Sequence, residues 1–324
     1  MVVCAMIKVS PRAALWSFAT LLVVSAAYVG LWFYVAVSLR QQAEIWLEAR
    51  RQDGLTITHG TLAIAGFPGR AELVLPDFMA AAFAADGTRL FWSWRAPTLR
   101  VAVRPYAFNT IAVDFSGSEI TVNPRLPEAP PLLVIEKARL EITRVELTRA
   151  GQPAGGARLS LDIGDMSLSD VLPGTPARTM RHARVTVDVR GSFAPGPVPE
   201  ALEAWRVGGG TLEVRDFNVD WPPVSATGSG TVALDRALQP IGSFTAKFRG
   251  FLQVVDMLVA AGRMATEEAS LARGALSLLA KVPSEGGEPE LDIALTLQDR
   301  KVYAGPVIVM EIPLLTWRKP SAAP

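Results

Sequence analysis

Two histidines, one cysteine and a scatter of acidic residues are the usual metal-ligating side chains that this chain of 324 residues offers. His59 falls between two short β-like runs, and His182 sits among Arg181 and Arg184. A zinc centre needs several ligands that converge on one point, and two separated histidines without a carboxylate pair beside them do not supply it. Asp162, Asp165 and Asp170 spread loosely around Gly164, whereas a calcium loop needs more oxygen ligands in tighter order. No G-x-S-x-G nucleophile elbow occurs, and Gly228-Ser229-Gly230 reads as small residues between strands. Gly208-Gly209-Gly210 lacks the following Lys-Ser or Lys-Thr of a phosphate loop and opens no helix. Asp86-Gly87-Thr88 precedes a strand instead of ending one, the wrong side for a phosphotransfer aspartate. The expectation is a protein that is not an enzyme, with no metal site and no cofactor.

The remaining candidate chemistry is apolar contact. Phe91, Trp92 and Trp94 stand in one strand-like run, which places Trp92 and Trp94 on one face and Phe91 on the other. One reading is core, with an indole N–H bonded at a sheet edge. The other makes these three the ligand-binding residues, lining a lipid groove or meeting a membrane surface.

The element that must position everything else is the run from Ala13 to Leu39, which carries no charged residue. A bilayer core about 30 Å thick needs roughly 20 apolar helical residues, so this run is long enough to span. Ala36-Val37-Ser38 has the form of a signal cleavage site, but the run is far longer than the core of about 7–15 residues that a cleaved signal uses. It is therefore expected to stay as a signal anchor. Lys8 and Arg12 precede it and Arg40, Arg50 and Arg51 follow, so the basic flanks are nearly matched. The expected orientation puts a stub (1–12) in the cytoplasm, the anchor (13–39) in the inner membrane as a single pass, and the rest in the periplasm. Cysteine usage agrees with export: Cys4, ahead of the anchor, is the only cysteine.

Half the residues are hydrophobic, enough for a sizeable core. Net charge is +1, with 32 basic against 31 acidic residues. Nucleic acid is thereby disfavoured as a partner, since phosphate binding needs a concentrated basic face.

Beyond the anchor, Gln41–Arg51 continues as helix until Asp53-Gly54, and period-two patterns then dominate. Leu55–Ile64 alternates about His59-Gly60, predicting a hairpin, and Gly66-Phe67-Pro68-Gly69 breaks the ladder. Further strands are expected at 72–75, 90–94, 98–103 and 110–115. Pro124–Pro131 reads as a connection, and Leu132–Thr148 as a strand with a bulge near Thr143, where its apolar phase slips. Gly151–Gly156 reads as a turn, and Arg158–Leu168 and Arg184–Phe193 as strands. A proline-rich link and short helix over 194–210 mark a boundary between β-rich subdomains at 52–193 and 209–317. Gly250–Ala280 reads as a helical hairpin with Thr266 as N-cap and Glu267 and Glu268 in the first turn. Leu291–Leu297 alternates cleanly, and Tyr303–Ile312 closes the sheet. The expected fold is mainly β (α+β): a transmembrane helix, then an extended antiparallel sheet with a helical hairpin near 250–281. Ile111-Ala112-Val113, Leu132–Ile135 and Val307–Met310 are apolar on both faces, as in a covered sheet or a groove floor.

Spacings across residues 54–317 resemble an uncharacterised alphaproteobacterial envelope family, a domain of unknown function with an N-terminal anchor. They are Gly66-Phe67-Pro68-x-Arg70, Trp94-x-Ala96, Tyr106-x-x-Asn109, Trp221 with Gly228-x-Gly230, Leu234-Asp235, Pro240-x-Gly242 into Phe244, and Gly305-Pro306 with Pro313-x-Leu315. The chain departs from that pattern at Gly69 and Phe108. The resemblance implies an anchored periplasmic protein and supplies no catalytic residues. Its layout is also similar to the AsmA-like envelope proteins linked to lipid traffic, an analogy of architecture. Two functions are therefore expected: binding or transfer of membrane lipid along an apolar sheet surface, or a scaffold that holds other envelope proteins through a sheet edge.

Overall fold

The computed structural model describes residues 11–52, 54–83, 90–122, 132–149, 152–168, 179–191, 193, 198–260, 262, 264–282, 288–305, 307–315 and 317. Cys4, Asp86-Gly87-Thr88, Asp170, Pro306 and the Pro124–Pro131 connection lie outside them.

The N-terminal run and the helix expected after it are one element, α1 (Pro11–Gln52), 42 residues long. At a rise of about 1.5 Å per residue it extends about 63 Å, twice the bilayer core. Among the described residues it is the one helix long and apolar enough to cross a membrane. Its halves differ. Leu15 to Val24 expose their apolar side chains, whereas Trp32, Val35, Ala36 and Leu47 are buried and Leu39 and Ala43 pack in the same stripe. Spacing of three and four residues puts that stripe on one side of the helix. Gly54, at φ +90, turns the chain out of it, its N–H bonded to Arg51 O at 2.9 Å.

The stripe lies on the first strands of a sheet. β1 (Thr56–Thr58) and β2 (Ala63–Ala65) pair antiparallel with β3 (Ala71–Phe83), end to end along one edge. The hairpin expected at His59-Gly60 is therefore not formed. Periodicity marked each run as a strand without naming its partner, and both found β3, Gly60 N–H meeting Pro76 O between them at 2.8 Å. The hairpin that does form joins β2 to β3 through Gly66–Gly69. Gly66 has φ +91, and a Cβ there would lie 2.3 Å from Arg70 O, so only glycine fits.

β4 (Leu90–Arg104) pairs with β3; β5 (Ala107–Asp114) and β6 (Ser118–Val122) lie end to end between β4 and β7 (Leu132–Arg149). β8 (Gln152–Leu168) pairs with β7 from Leu133↔Leu168 to Arg149↔Gln152 with Thr143 opposite Arg158 and no shift of register. The bulge expected near Thr143 is absent, so Val145 takes the opposite face from Ile142. Gly155 and Gly156, expected in a turn, lie within β8.

β9 (Thr179–Arg190) follows, then α2 (Val198–Val207), then β10 (Thr211–Trp221), which pairs with β9 across the proline-rich link. The ladder is thus continuous through 194–210. Trp205 of α2 donates its indole N–H to Arg190 O at 2.8 Å and lies over Gly210, where a Cβ would meet the ring at 2.2 Å. β11 (Val224–Leu234) and β12 (Pro240–Arg249) lead to the helical hairpin, α3 (Phe251–Ala260) and α4 (Thr266–Leu279). The cap of α4 is Ala265 rather than Thr266: Glu268 reaches back to accept the Ala265 N–H at 3.1 Å, and that bond fixes the start one residue earlier. β13 (Leu291–Gln298), β14 (Lys301–Ala304) and β15 (Val307–Glu311) complete a single sheet, in which the described residues form 15 strands and every pair among them is antiparallel. The expected architecture, mainly β with a long N-terminal helix and a helical hairpin, is the one the chain adopts.

Candidate functional site

Alternation along each strand, combined with the register between strands, sorts the sheet into two unlike faces. On one face, acidic and basic side chains answer each other across neighbouring strands. Asp162 takes Arg184 at 2.5 Å and His182 at 3.3 Å, Lys137 meets Asp165 at 3.1 Å, and Arg190 pairs with Glu213. Asp188 is fully buried there, held by Arg158 at 2.7 Å and Arg215 at 2.5 Å. These arginines, the Arg158 hydrogen bond foremost, hold the Asp188 carboxyl below the usual carboxylate range against the opposing effect of burial. Such a network keeps one face hydrophilic and in register.

The other face carries an apolar row from strand to strand. Leu73 stands opposite Val101, Val101 opposite Val113, Val113 opposite Leu140, Leu140 opposite Leu161, Leu161 opposite Val185, and Val185 opposite Phe217. It continues through Gly228 and Ala246 to Ile293 on β13. A second row runs beside it through Ile142, Leu159, Val187 and Val214. Ten strands at about 4.8 Å spacing make a strip about 43 Å long. One leaflet of a bilayer spans about 15 Å of hydrocarbon, so the strip exceeds the reach of a single acyl chain.

Helices cover the ends of this face. The stripe of α1 lies over Ile57, Leu73, Leu75, Phe78, Ala80, Ala96 and Leu99. At the far end α3 packs against β11, with Phe251 and Val255 buried. Between them Leu140, Leu159, Leu161, Val185 and Val187 are only half-buried. Among the described residues, α1 packs on β1 and β3 and α3 on β11, while α2 sits at the strand ends beside Gly191 and Gly210. Among the described residues, no helix packs closely on the middle of the apolar face.

Of the residues singled out by sequence, Trp94 lies in the covered part, between Phe78 at 5.0 Å and Phe115 at 5.8 Å, both edge-on. Its indole N–H donates to Ser118 Oγ at 3.0 Å. Trp92 packs partly buried against the same cluster, and Phe91 is turned to the other face. The structure thus brings Trp92 and Trp94 together under α1 and leaves Phe91 apart. The open rows of β7, β8 and β9 were missed as a unit. Each strand's alternation was visible, but the join needs the register. His59 lies between Arg51, 3.2 Å from Nε2, and Gly60 O, 2.8 Å from Nδ1. His182 faces Asp162, and among the described residues no three His, Cys, Asp or Glu side chains group as a metal site.

Comparison with curated proteins gives no match to this chain. Residues 32–132 and 117–313 match the model of a family described as "Uncharacterized protein conserved in bacteria (DUF2125)", a match that opens at Trp32, the first residue of the buried α1 stripe. Since the two stretches together take in most of the chain, the protein belongs to that family.

Proposed function

We propose that this is a non-enzymatic, single-pass inner-membrane protein whose sheet lies in the periplasm and binds or passes lipid along its apolar face. The observation that supports this reading is the half-buried row Leu140–Leu161–Val185, which no helix covers among the described residues, in the middle of an apolar strip bounded by helices at both ends. Apolar area removed from water is worth about 25 cal/mol per Å², so an acyl chain laid on this strip gains what a second protein layer would otherwise provide. The helix that crosses the membrane and the first strands of the strip are in contact, which gives lipid a short path from bilayer to sheet. Phe91, Trp92 and Trp94 belong to the covered end in this reading, with Trp92 and Trp94 holding the sheet against α1.

The test is uptake of a fluorescent phospholipid by delipidated protein. Wild-type protein takes up the probe, and Leu161→Asp with Val185→Asp abolishes uptake because both charges land mid-strip. Thr186→Asp, on the opposite face, leaves uptake unchanged. Uptake equal in all three proteins, or lipid absent from protein extracted in native membranes, rejects the reading.

A scaffold that holds another envelope protein through a sheet edge is the second reading. The edges weigh against it: β1 and β2 are three residues each and β15 is five, and short edges offer little ladder for an added strand. Crosslinking in membranes that yields one dominant protein partner would favour it over lipid binding.

A further inference from the structure

Two turns of the sheet, Gly66–Gly69 and Arg104–Phe108, lie beside the membrane-crossing helix and present aromatic side chains outward. We propose that these turns enter the interface of the bilayer beside α1, forming an aromatic foot that seats the sheet on the lipid surface. The proposal deepens the reading above and rests on it for one point, that α1 spans a membrane.

The depth of the first turn follows from its contacts with α1. Tyr28 donates its hydroxyl to Pro68 O, Phe67 meets the Trp32 ring edge-on at 5.3 Å, and it stacks with Phe33 at 6.5 Å. Crossing takes roughly 20 residues, and the charge-free run ends at Leu39. Every window of that length inside 13–39 contains both Tyr28 and Trp32. A turn tied to those two side chains is therefore held at bilayer depth. The second turn is carried to the same place, because Val103 is buried with Ala71 against Trp32, Val35 and Ala36.

The exposed chemistry suits that position. Phe67 is 53% exposed, Tyr106 73% and Phe108 58%. Aromatic rings so displayed are costly in water but favoured at the boundary of headgroups and acyl chains. Arg104, exposed beside Tyr106, adds a cation at the height of lipid phosphates. The backbone of the first turn is prepared as well. Pro68 has no N–H, its carbonyl is taken by Tyr28, and Gly66 O accepts the Arg70 N–H at 3.1 Å. Backbone groups near hydrocarbon need such internal partners. The occupant is a lipid surface, continuous with the one that surrounds the exposed half of α1.

Depth-dependent quenching tests the proposal on the full chain. In a Cys4→Ser background, single cysteines replace Phe67, Tyr106, Phe108, Val23 in the exposed half of α1, and Thr227 on β11. Each carries an environment-sensitive fluorophore, and the protein is reconstituted in phosphatidylcholine/phosphatidylglycerol nanodiscs containing lipids with a quencher near the headgroup or, in a second preparation that reads position 23, on the middle of the acyl chain. The expected result is blue-shifted, quenched emission at 67, 106 and 108, quenching at 23, and unquenched emission at 227. Because Phe67→Cys removes a ring contact, the labels at 106 and 108 decide. Emission at those two positions matching that at 227, with 23 still quenched, overturns the foot and leaves the anchor standing. Emission unquenched at 23 as well overturns the foot together with the membrane reading of α1.

Discussion

The most sharply determined single residue is Asp188, a carboxylate with no accessible surface between two arginines whose side chains are 38% and 44% exposed. Its three groups define an order of cost. Removing the carboxylate leaves cations that water still reaches, so Asp188→Ala is expected to cost about 1–3 kcal/mol. Replacing both arginines by methionine keeps carbon stems over the site and strands the charge, so Arg158→Met with Arg215→Met should cost more, about 3–5 kcal/mol. Each single methionine variant should cost far less than half of the pair, since the other cation remains. Thermal unfolding of the four proteins checks the order, and additive single effects would contradict it. The acid dependence follows from sign. Asp188 titrates below its ordinary 3.8 when folded, so the unfolded chain binds its proton first. The stabilisation is complete above that ordinary value and is lost as pH falls through the lower folded one. Asp188→Asn is expected to flatten that part of the acid profile and leave neutral pH dependence unchanged.

Among the elements, β11 shows how small residues serve a sheet. A Cβ on Gly228 would lie 2.2 Å from Thr245 O and 2.7 Å from Phe217 Cζ. The phenyl ring can turn aside, but the carbonyl moves only if β11 and β12 part. Gly228→Ala is therefore expected to destabilise by about 1–3 kcal/mol despite alanine's easier backbone, whereas Ser229→Ala on the other face stays within about 0.5 kcal/mol. Denaturant midpoints measure both. The sequence already carried much at this scale. Charge-free length announced the first half of α1, alternation announced β13, and three- and four-residue spacing announced α3. What alternation cannot carry is partnership. Leu55–Ile64 looked like two strands meeting each other and proved to be two strands meeting β3. The out-of-phase Val145 reads as a bulge only if one face alone is apolar, whereas the unshifted register puts Ile142 and Val145 on opposite faces. The apolar strip was illegible for the same reason, since Leu140, Leu161 and Val185 are separated in sequence and joined only by register. Trp94, by contrast, satisfied the core reading that its indole N–H invited, through Ser118.

At the scale of the molecule, α1 performs two jobs that sequence alone folds into one hydrophobic stretch. Its first half is exposed and apolar enough to cross a membrane; its second half, from Trp32 to Leu47, is the cover for the first strands. Removal of residues up to Ser38 would take away Trp32, Val35 and Ala36 and uncover Ala71 and Val103, so it is expected to destabilise the sheet. The same division predicts where the chain can be shortened. A form beginning at Leu31 retains the whole buried stripe and loses the exposed half together with the Tyr28 hydrogen bond to Pro68 O, so it is expected to fold, to be soluble with little or no detergent, and to unfold cooperatively. A form beginning at Gly54 bares Leu73, Leu75, Phe78, Ala80 and Leu99 along one face. A contiguous apolar patch of that kind drives association, and the second form is expected to aggregate or to need detergent. Size-exclusion chromatography with thermal unfolding separates the outcomes. Within the shorter series, Trp32→Ala in the form that begins at Leu31 should cost about 3–5 kcal/mol, while Trp32→Phe should cost much less. The indole N–H of Trp32 is buried without an acceptor among the described residues, so phenylalanine keeps edge-on packing against Phe67 and discards a donor that stabilises nothing. A soluble, cooperative protein beginning at Gly54 would mean that the sheet closes on itself and that α1 is only a tether.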